Sequence, residues 1–221
     1  MFLAISEMRR NRTRFLLIIS IVALVTTLIL FIVALAEGLG AGNIEGLQKL
    51  NAELLVFQDK SKYQLATSAL PWKGLRQVRR VEGVKAVGAL GFAGAAIPAE
   101  FTRDGRALDI ALVGVQPGQP GQPPVVVGEQ LAGERERAAV LDANTQQRTG
   151  LRVGDTLTIR SVQDAADEFY QLTVVGIADD RQFNLRPSVF VPLRVWDELR
   201  PGSREGSGQR EVITSVLAVQ A

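Results

Sequence analysis

From Phe15 to Ala36 the chain reads FLLIISIVALVTTLILFIVALA, apolar on every side and without charge, Pro or Gly. Its only polar members are Ser20, Thr26 and Thr27, whose hydroxyls can bond back to a helix carbonyl. About 22 residues at ~1.5 Å each make a helix of roughly 33 Å, enough to cross a ~30 Å hydrocarbon core. A helix is the simplest way for one segment to satisfy its own backbone in hydrocarbon. The alternative is a buried helix of a soluble protein, where so long and uniform an apolar run is rare.

Beyond Ala36 the pattern breaks into short periods. Residues 37–50, EGLGAGNIEGLQKL, place Leu39, Leu47 and Leu50, with Leu54 beyond them, along one helical face. Gly38, Gly40, Gly42 and Gly46 each cost a helix ~1 kcal/mol against Ala. The membrane helix is therefore expected to continue outward, whole or broken in this run, with a flexible linker as the alternative. Residues 52–58 read as a strand, Pro71-Trp72 opens a helix to about Arg80, and 84–90 is a second strand. In that helix Leu75 and Val78 face inward, and Arg76, Arg79 and Arg80 face outward. Residues 95–101 and 108–115 form a hairpin around Asp104-Gly105.

Pro117 to Pro124, PGQPGQPP, admits neither helix nor strand and marks the clearest internal boundary. Residues 125–128 are extended, 129–134 a helical turn and 138–141 an apolar strand. Asp142 caps a helix to Thr149 that Gly150 ends. Gly154-Asp155 turns into a strand carrying Leu157 and Ile159. An acidic loop, 163–168, leads to a strand over 170–177. A strand at 188–192, a short helix at 193–199 with Trp196, a loop at 201–210 and a strand at 211–219 complete the chain.

Charge orients the apolar span. Arg9, Arg10, Arg12 and Arg14 precede it against a single Glu7, whereas Glu37, Glu45 and Glu53 outnumber Lys49 after it. The positive-inside rule puts the N-terminus in the cytoplasm and residues 37–221 outside it. Residues 1–14 then form a cytoplasmic basic segment, read either as a short amphipathic helix or as a plain topogenic flank. A cleaved signal peptide is the rival, with Ala34-Leu35-Ala36 as the cleavage site, although signal cores run only about 7–15 residues.

Residues 1–14 hold four of the 25 Lys and Arg and one of the 23 Asp and Glu, which leaves 21 against 22 in the remainder. No nucleic-acid surface is indicated. The chain has no Cys and no His, which excludes disulfides, Cys/His zinc sites and catalysis through imidazole or thiolate. No phosphate-binding GxxxxGK[ST] occurs, so any ATP belongs to a partner and no cofactor is expected here. Asp164, Asp167, Glu168, Asp179 and Asp180 flank the strand at 170–177 but match no calcium loop, and read as a solvated rim. Ser61-Lys62 and Ser68 with Lys73 are the only nearby Ser/Lys pairs, and no SxxK is present.

The order of phrases resembles the N-terminal half of an FtsX/MacB-like ABC transporter permease: its first membrane helix and its extracytoplasmic core domain. Five phrases carry it: the basic run 9–14; Val126-Val127-Gly128-Glu129-Gln130-Leu131; Gly150-Leu151-Arg152-Val153-Gly154-Asp155-Thr156-Leu157; Val174-Val175-Gly176-Ile177; and Val189-Phe190-Val191-Pro192-Leu193. The resemblance covers essentially the whole chain.

It implies an α+β fold: one transmembrane helix at 15–36, then a mixed α/β porter-like lobe with an inserted β-rich lobe. It also implies a non-enzymatic permease subunit in the cell membrane that couples a partner ATPase to movement or export of a substrate. The expected partners are that ATPase, a second permease copy or paralogue, a membrane fusion or adaptor protein, and the bilayer itself. A membrane-anchored binding or adaptor module without an ATPase is the alternative. Arg9, Arg10, Arg12 and Arg14 are the expected partner-facing residues. Gly128, Gly150, Gly154, Asp155 and Gly176 are read as structural, since Gly suits positive φ or close backbone approach. Family members usually carry three further membrane helices after this domain. The sequence stops at Ala221 without them, so a truncated, split or degenerate permease is expected.

Overall fold

Helix α1, Arg12–Gln48, contains the whole apolar span. Its stretch Arg12–Gly38 is long and apolar enough to cross a membrane, and none of its most apolar window is buried by protein. Thr27 Oγ donates to the Ala23 carbonyl at 2.8 Å, so this hydroxyl needs no outside partner. The structure is a computed structural model describing residues 11–62, 65, 68–163, 166–183, 185–201 and 213–221. The helix continues outward as expected and is unbroken in the glycine run, since α1 extends through Gly46 to Gln48. Tertiary packing overrides the glycine penalty at its end: Leu50 is buried in a core cluster and Leu47 packs against it. Residues up to Gly42 form one compact unit and Asn43–Ala221 a second.

The second unit is α+β and sheet-rich. In chain order it holds β1 (Leu54–Val56), β2 (Leu70–Pro71), α2 (Trp72–Val78), β3 (Ala86–Ile97) and β4 (Leu108–Val115). Then follow β5 (Val125–Gly128), β6 (Ala138–Leu141), α3 (Ala143–Thr149), β7 (Thr156–Gln163) and β8 (Ala166–Ala178). The last elements are β9 (Ser188–Pro192), α4 (Leu193–Leu199), β10 (Ile213–Thr214) and β11 (Val216–Gln220). Among the described residues nine strands form one sheet in the order β1-β11-β3-β4-β9-β6-β8-β5, with β7 pairing to both β3 and β8. β2 and β10 make a separate antiparallel pair.

Two pairings are parallel, β4 with β9 and β6 with β8; the others are antiparallel. Strands β3, β4, β9, β6, β8 and β7 pair around a closed circuit, completed where Ala96 of β3 meets Arg160 of β7. All six contribute to one buried cluster that includes Ile97, Ile110, Leu112, Leu141, Leu157, Ile159, Leu172 and Val189. Alternate residues of five of these strands, including Leu90, Val113, Val140, Ala178 and Phe190, enter a second cluster together with Val216 of β11. Because successive side chains point to opposite faces, strands buried on both sides read as unbroken apolar runs.

The two strands expected at 84–90 and 95–101 are one twelve-residue strand, β3. Gly91 does not interrupt it, because the Trp196 ring of α4 lies where a side chain at Gly91 would stand, 2.5 Å from an ideal Cβ. Gly114 on β4 meets the same tryptophan, also at 2.5 Å. The glycines are thus a seat for the indole, a use of strand glycine that leaves pairing intact. Residues 99–101 form a 3-10 turn rather than strand.

The helical turn expected over 129–134 does not form. Glu129 N–H continues the pairing of β5 by donating to the Val175 carbonyl at 2.8 Å, and Leu131 is drawn into the core. The proline-rich segment 117–124 lies against the sheet, with Gly121 packed on Leu90. The strand expected over 211–219 is interrupted at Ser215, whose N–H donates to the Leu90 carbonyl and whose Oγ accepts from Phe92 N–H.

Candidate functional site

The signature residues converge on β8. Gly128, at φ +89°, ends β5, and a Cβ there would collide with the Val175 carbonyl and stand 3.0 Å from Gly176 Cα. Gly176 has its own close neighbours in the Glu129 carbonyl and the Val125 side chain. Gly154, at φ +95°, has open space around it but donates its N–H to the Val174 carbonyl at 2.7 Å. Asp155 Oδ2 accepts from Arg152 N–H at 2.8 Å, and its own carbonyl accepts from Val174 N–H at 2.9 Å. Gly150 stands apart from these four, ending α3 in the left-handed region at φ +79° beneath the Arg103 side chain.

Arg9 and Arg10 lie outside the described residues. Arg12 and Arg14 are exposed in the first turn of α1. Of the acidic set, Asp164 lies outside the described residues. Asp167 pairs with Arg160 at 3.1 Å, Glu168 accepts from the Tyr170 hydroxyl at 2.7 Å and Asp179 accepts from Arg181 Nε at 2.6 Å. Among the described residues no three His, Cys, Asp or Glu side chains converge as metal ligands. Ser68 Oγ accepts from Gln58 N–H at 3.0 Å.

A cluster that the sequence did not disclose forms where α1 ends. The segment 179–187, between β8 and β9, grips residues 46–50. Phe183 is buried against Gly46, Arg181 donates through Nη1 to the Lys49 carbonyl, and Lys49 Nζ donates to the Asp180 carbonyl. Arg181 is only 5% exposed, and its charge is met by Asp179. In the sequence Arg181 sits in a run of polar residues with no period, which is why it reads as surface.

The grip continues inward. Ser188 Oγ donates to the Arg181 carbonyl at 2.6 Å. Ser188 N–H donates to Asp142 Oδ2 at 2.9 Å, and Thr145 N–H donates to Asp142 Oδ1 at 2.6 Å. Asp142 caps α3 as expected, but it is also fully buried and joins α3 to β9 at one carboxylate, with the Ser188 hydroxyl carrying the connection on to Arg181. Burial pushes its pKa up to about 6, against the pull of the bonds from Thr145 and Ser188, and the negative charge of Asp180 pushes the same way. With Cys and His absent from the chain, this network contains neither imidazole nor thiolate.

Within the second unit, residues 46–50 are thus held by side-chain bonds of Arg181 and Lys49 to main-chain carbonyls. The chain belongs to the family of MacB-like periplasmic core domains, whose model matches residues 15–220. No curated protein matches it. Among solved structures it is similar to the extracellular domain of the noncanonic ABC-type transporter YknZ from Gram-positive bacteria. That likeness has 15% identity and a TM-score of 0.47, covering 76% of this chain and 81% of that one. It is also similar to the periplasmic region of MacB from Actinobacillus actinomycetemcomitans, at 11% identity and a TM-score of 0.49, covering 80% of this chain and 77% of that one. Family and apolar helix together describe a membrane-anchored protein with an extracytoplasmic domain.

Proposed function

We propose that this chain is a permease-type subunit of an ABC transporter. In this reading a partner ATPase binds and hydrolyses ATP in the cytoplasm, and the extracytoplasmic domain moves or exports a substrate. The observation that supports it is the match of the MacB-like periplasmic core domain to residues 15–220 together with an apolar helix, Arg12–Gly38, long enough to cross a membrane. The chain itself performs no chemistry and holds no cofactor. Arg9, Arg10, Arg12 and Arg14 face the ATPase, a second copy or paralogue completes the membrane unit, and a fusion or adaptor protein is a further partner.

The test is a pull-down of detergent-solubilised protein from its host. The four arginines are left intact, changed to Lys, or changed to Ala. Lys keeps the positive flank that orients the helix and removes the guanidinium forks. Copurification of an ABC-type ATPase, reduced in the Lys variant and lost in the Ala variant, is the expected outcome. If no ATPase accompanies the intact form, the permease reading fails and an anchored extracytoplasmic binding module describes the chain better.

A further inference from the structure

A pocket of about 110 Å³ opens beside the 179–187 segment, lined by Leu65, Phe92, Gly94, Ala111, Phe183 and Arg186. We propose that it binds a small monocarboxylate whose apolar body is about the size of one aromatic ring.

The volume sets the size, since an engineered apolar cavity of about 150 Å³ holds benzene. The walls set the body. The Phe92 and Phe183 rings lie 5.1 Å apart at 59°, so a third ring entering beside them meets aromatic faces and edges. Gly94 contributes no side chain, which keeps the space open on β3.

Arg186 sets the head group. Its Nη1 lies 3.2 Å from where a Cβ of Gly94 would stand, so the guanidinium lies along the sheet at the pocket. Among the described residues its side chain has no ion pair or hydrogen bond, while the other arginine of the segment, Arg181, is held by Asp179. Asp109, two residues from Ala111 on the same face of β4, forms no ion pair with it. A guanidinium beside an apolar wall favours one planar carboxylate, which it can hold through two parallel bonds. A neutral ligand leaves the cation unmatched, and a dianion brings a second charge that no described side chain of the pocket answers.

The full-length chain in lipid nanodiscs, titrated with 4-fluorobenzoate and followed by fluorine NMR, tests this. Empty nanodiscs correct for partitioning, and 4-fluorobenzamide serves as the neutral twin. Saturable binding of the benzoate is expected. Arg186→Gln should weaken it by about tenfold or more and leave the benzamide unchanged. Ala111→Leu, which fills the pocket, should remove both. Arg186 is exposed, so the Gln variant should keep its melting temperature and its loss is read as binding. Absence of saturable binding, or equal benzoate affinity in wild type and Arg186→Gln, overturns the proposal. The assay contains no ATPase, so this result and the pull-down succeed or fail separately.

Discussion

The ring of Phe183 occupies the place that a side chain at residue 46 would take: a Cβ built on Gly46 would stand 2.7 Å from two ring carbons and would collide with the Gln182 carbonyl. Gly46→Ala therefore gains up to ~1 kcal/mol of helix propensity but must displace main chain in a packed site, a change that typically costs about 1–3 kcal/mol. Gly38, in the same helix, meets nothing within 4 Å. Melting of both variants in nanodiscs should separate them, with Gly46→Ala lowered and Gly38→Ala equal to or above wild type. Equal shifts would remove the Phe183 contact as the reason for glycine at position 46.

Gly128 and Gly154 should behave differently despite near-equal φ. An L-residue held in the left-handed region costs roughly 1–2 kcal/mol, and this is all that Gly154→Val should lose, because its surroundings are open. Gly128→Val adds overlap with the Val175 carbonyl in the β5–β8 ladder, so it should lose several times as much and accumulate poorly. Thermal melts and yield of membrane-inserted protein check the order. A reversed order would mean that Gly154 has a role beyond its backbone angle.

Local patterns carried much of the fold. The apolar run at 15–36, the Asp142 cap, the Gly150 stop and the centres of the strands from β4 to β9 were legible because each is written in neighbouring residues, although residues 166–168, expected in an acidic loop, belong to β8. What could not be read depends on partners distant in sequence. Gly91 looks like a break until Trp196 is seen to fill its space, and the glycines after the span look like a hinge until Phe183 is seen against Gly46. Residues 129–134 have helical composition, yet pairing with Val175 holds their start extended. The candidate site suffers the same way. Arg181 and Ser188 acquire meaning only through Lys49 and Asp142, 132 and 46 positions away respectively, and no motif records such contacts.

Asp142 gives the domain a pH dependence of known sign. Its carboxyl is raised from 3.8 to about 6 in the folded protein by burial, so between these values the folded state holds a proton that the unfolded state has released. Stability from this group is therefore fully present below about pH 4, falls as pH rises through 6, and is constant above that. Two pKa units correspond to roughly 3 kcal/mol, an upper figure for the change. Asp142→Asn cannot ionise, although its amide faces the Ser188 N–H and costs about 1–3 kcal/mol at every pH. The difference in melting temperature between wild type and Asp142→Asn should thus be largest near pH 4.5 and narrow toward pH 7.5. A difference that is constant across this range would show that Asp142 titrates as it does when unfolded.

The proposed orientation, with the N-terminus in the cytoplasm, rests on the arginines ahead of the anchor, and the absence of cysteine makes it simple to test. Any cysteine introduced is the only thiol in the chain. Glu136 is exposed in the extracytoplasmic unit and Asn11 is exposed at the start of α1. Translocating four arginines is unfavourable, whereas the domain after the span carries nearly balanced charge and crosses largely regardless of it. With a membrane-impermeant maleimide on intact cells or spheroplasts, Glu136→Cys should label at once and Asn11→Cys only after permeabilisation. The reverse pattern would invert the protein and separate Arg12 and Arg14 from any cytoplasmic ATPase. Protection of both sites until permeabilisation would place the domain inside the cell and remove the transporter reading altogether.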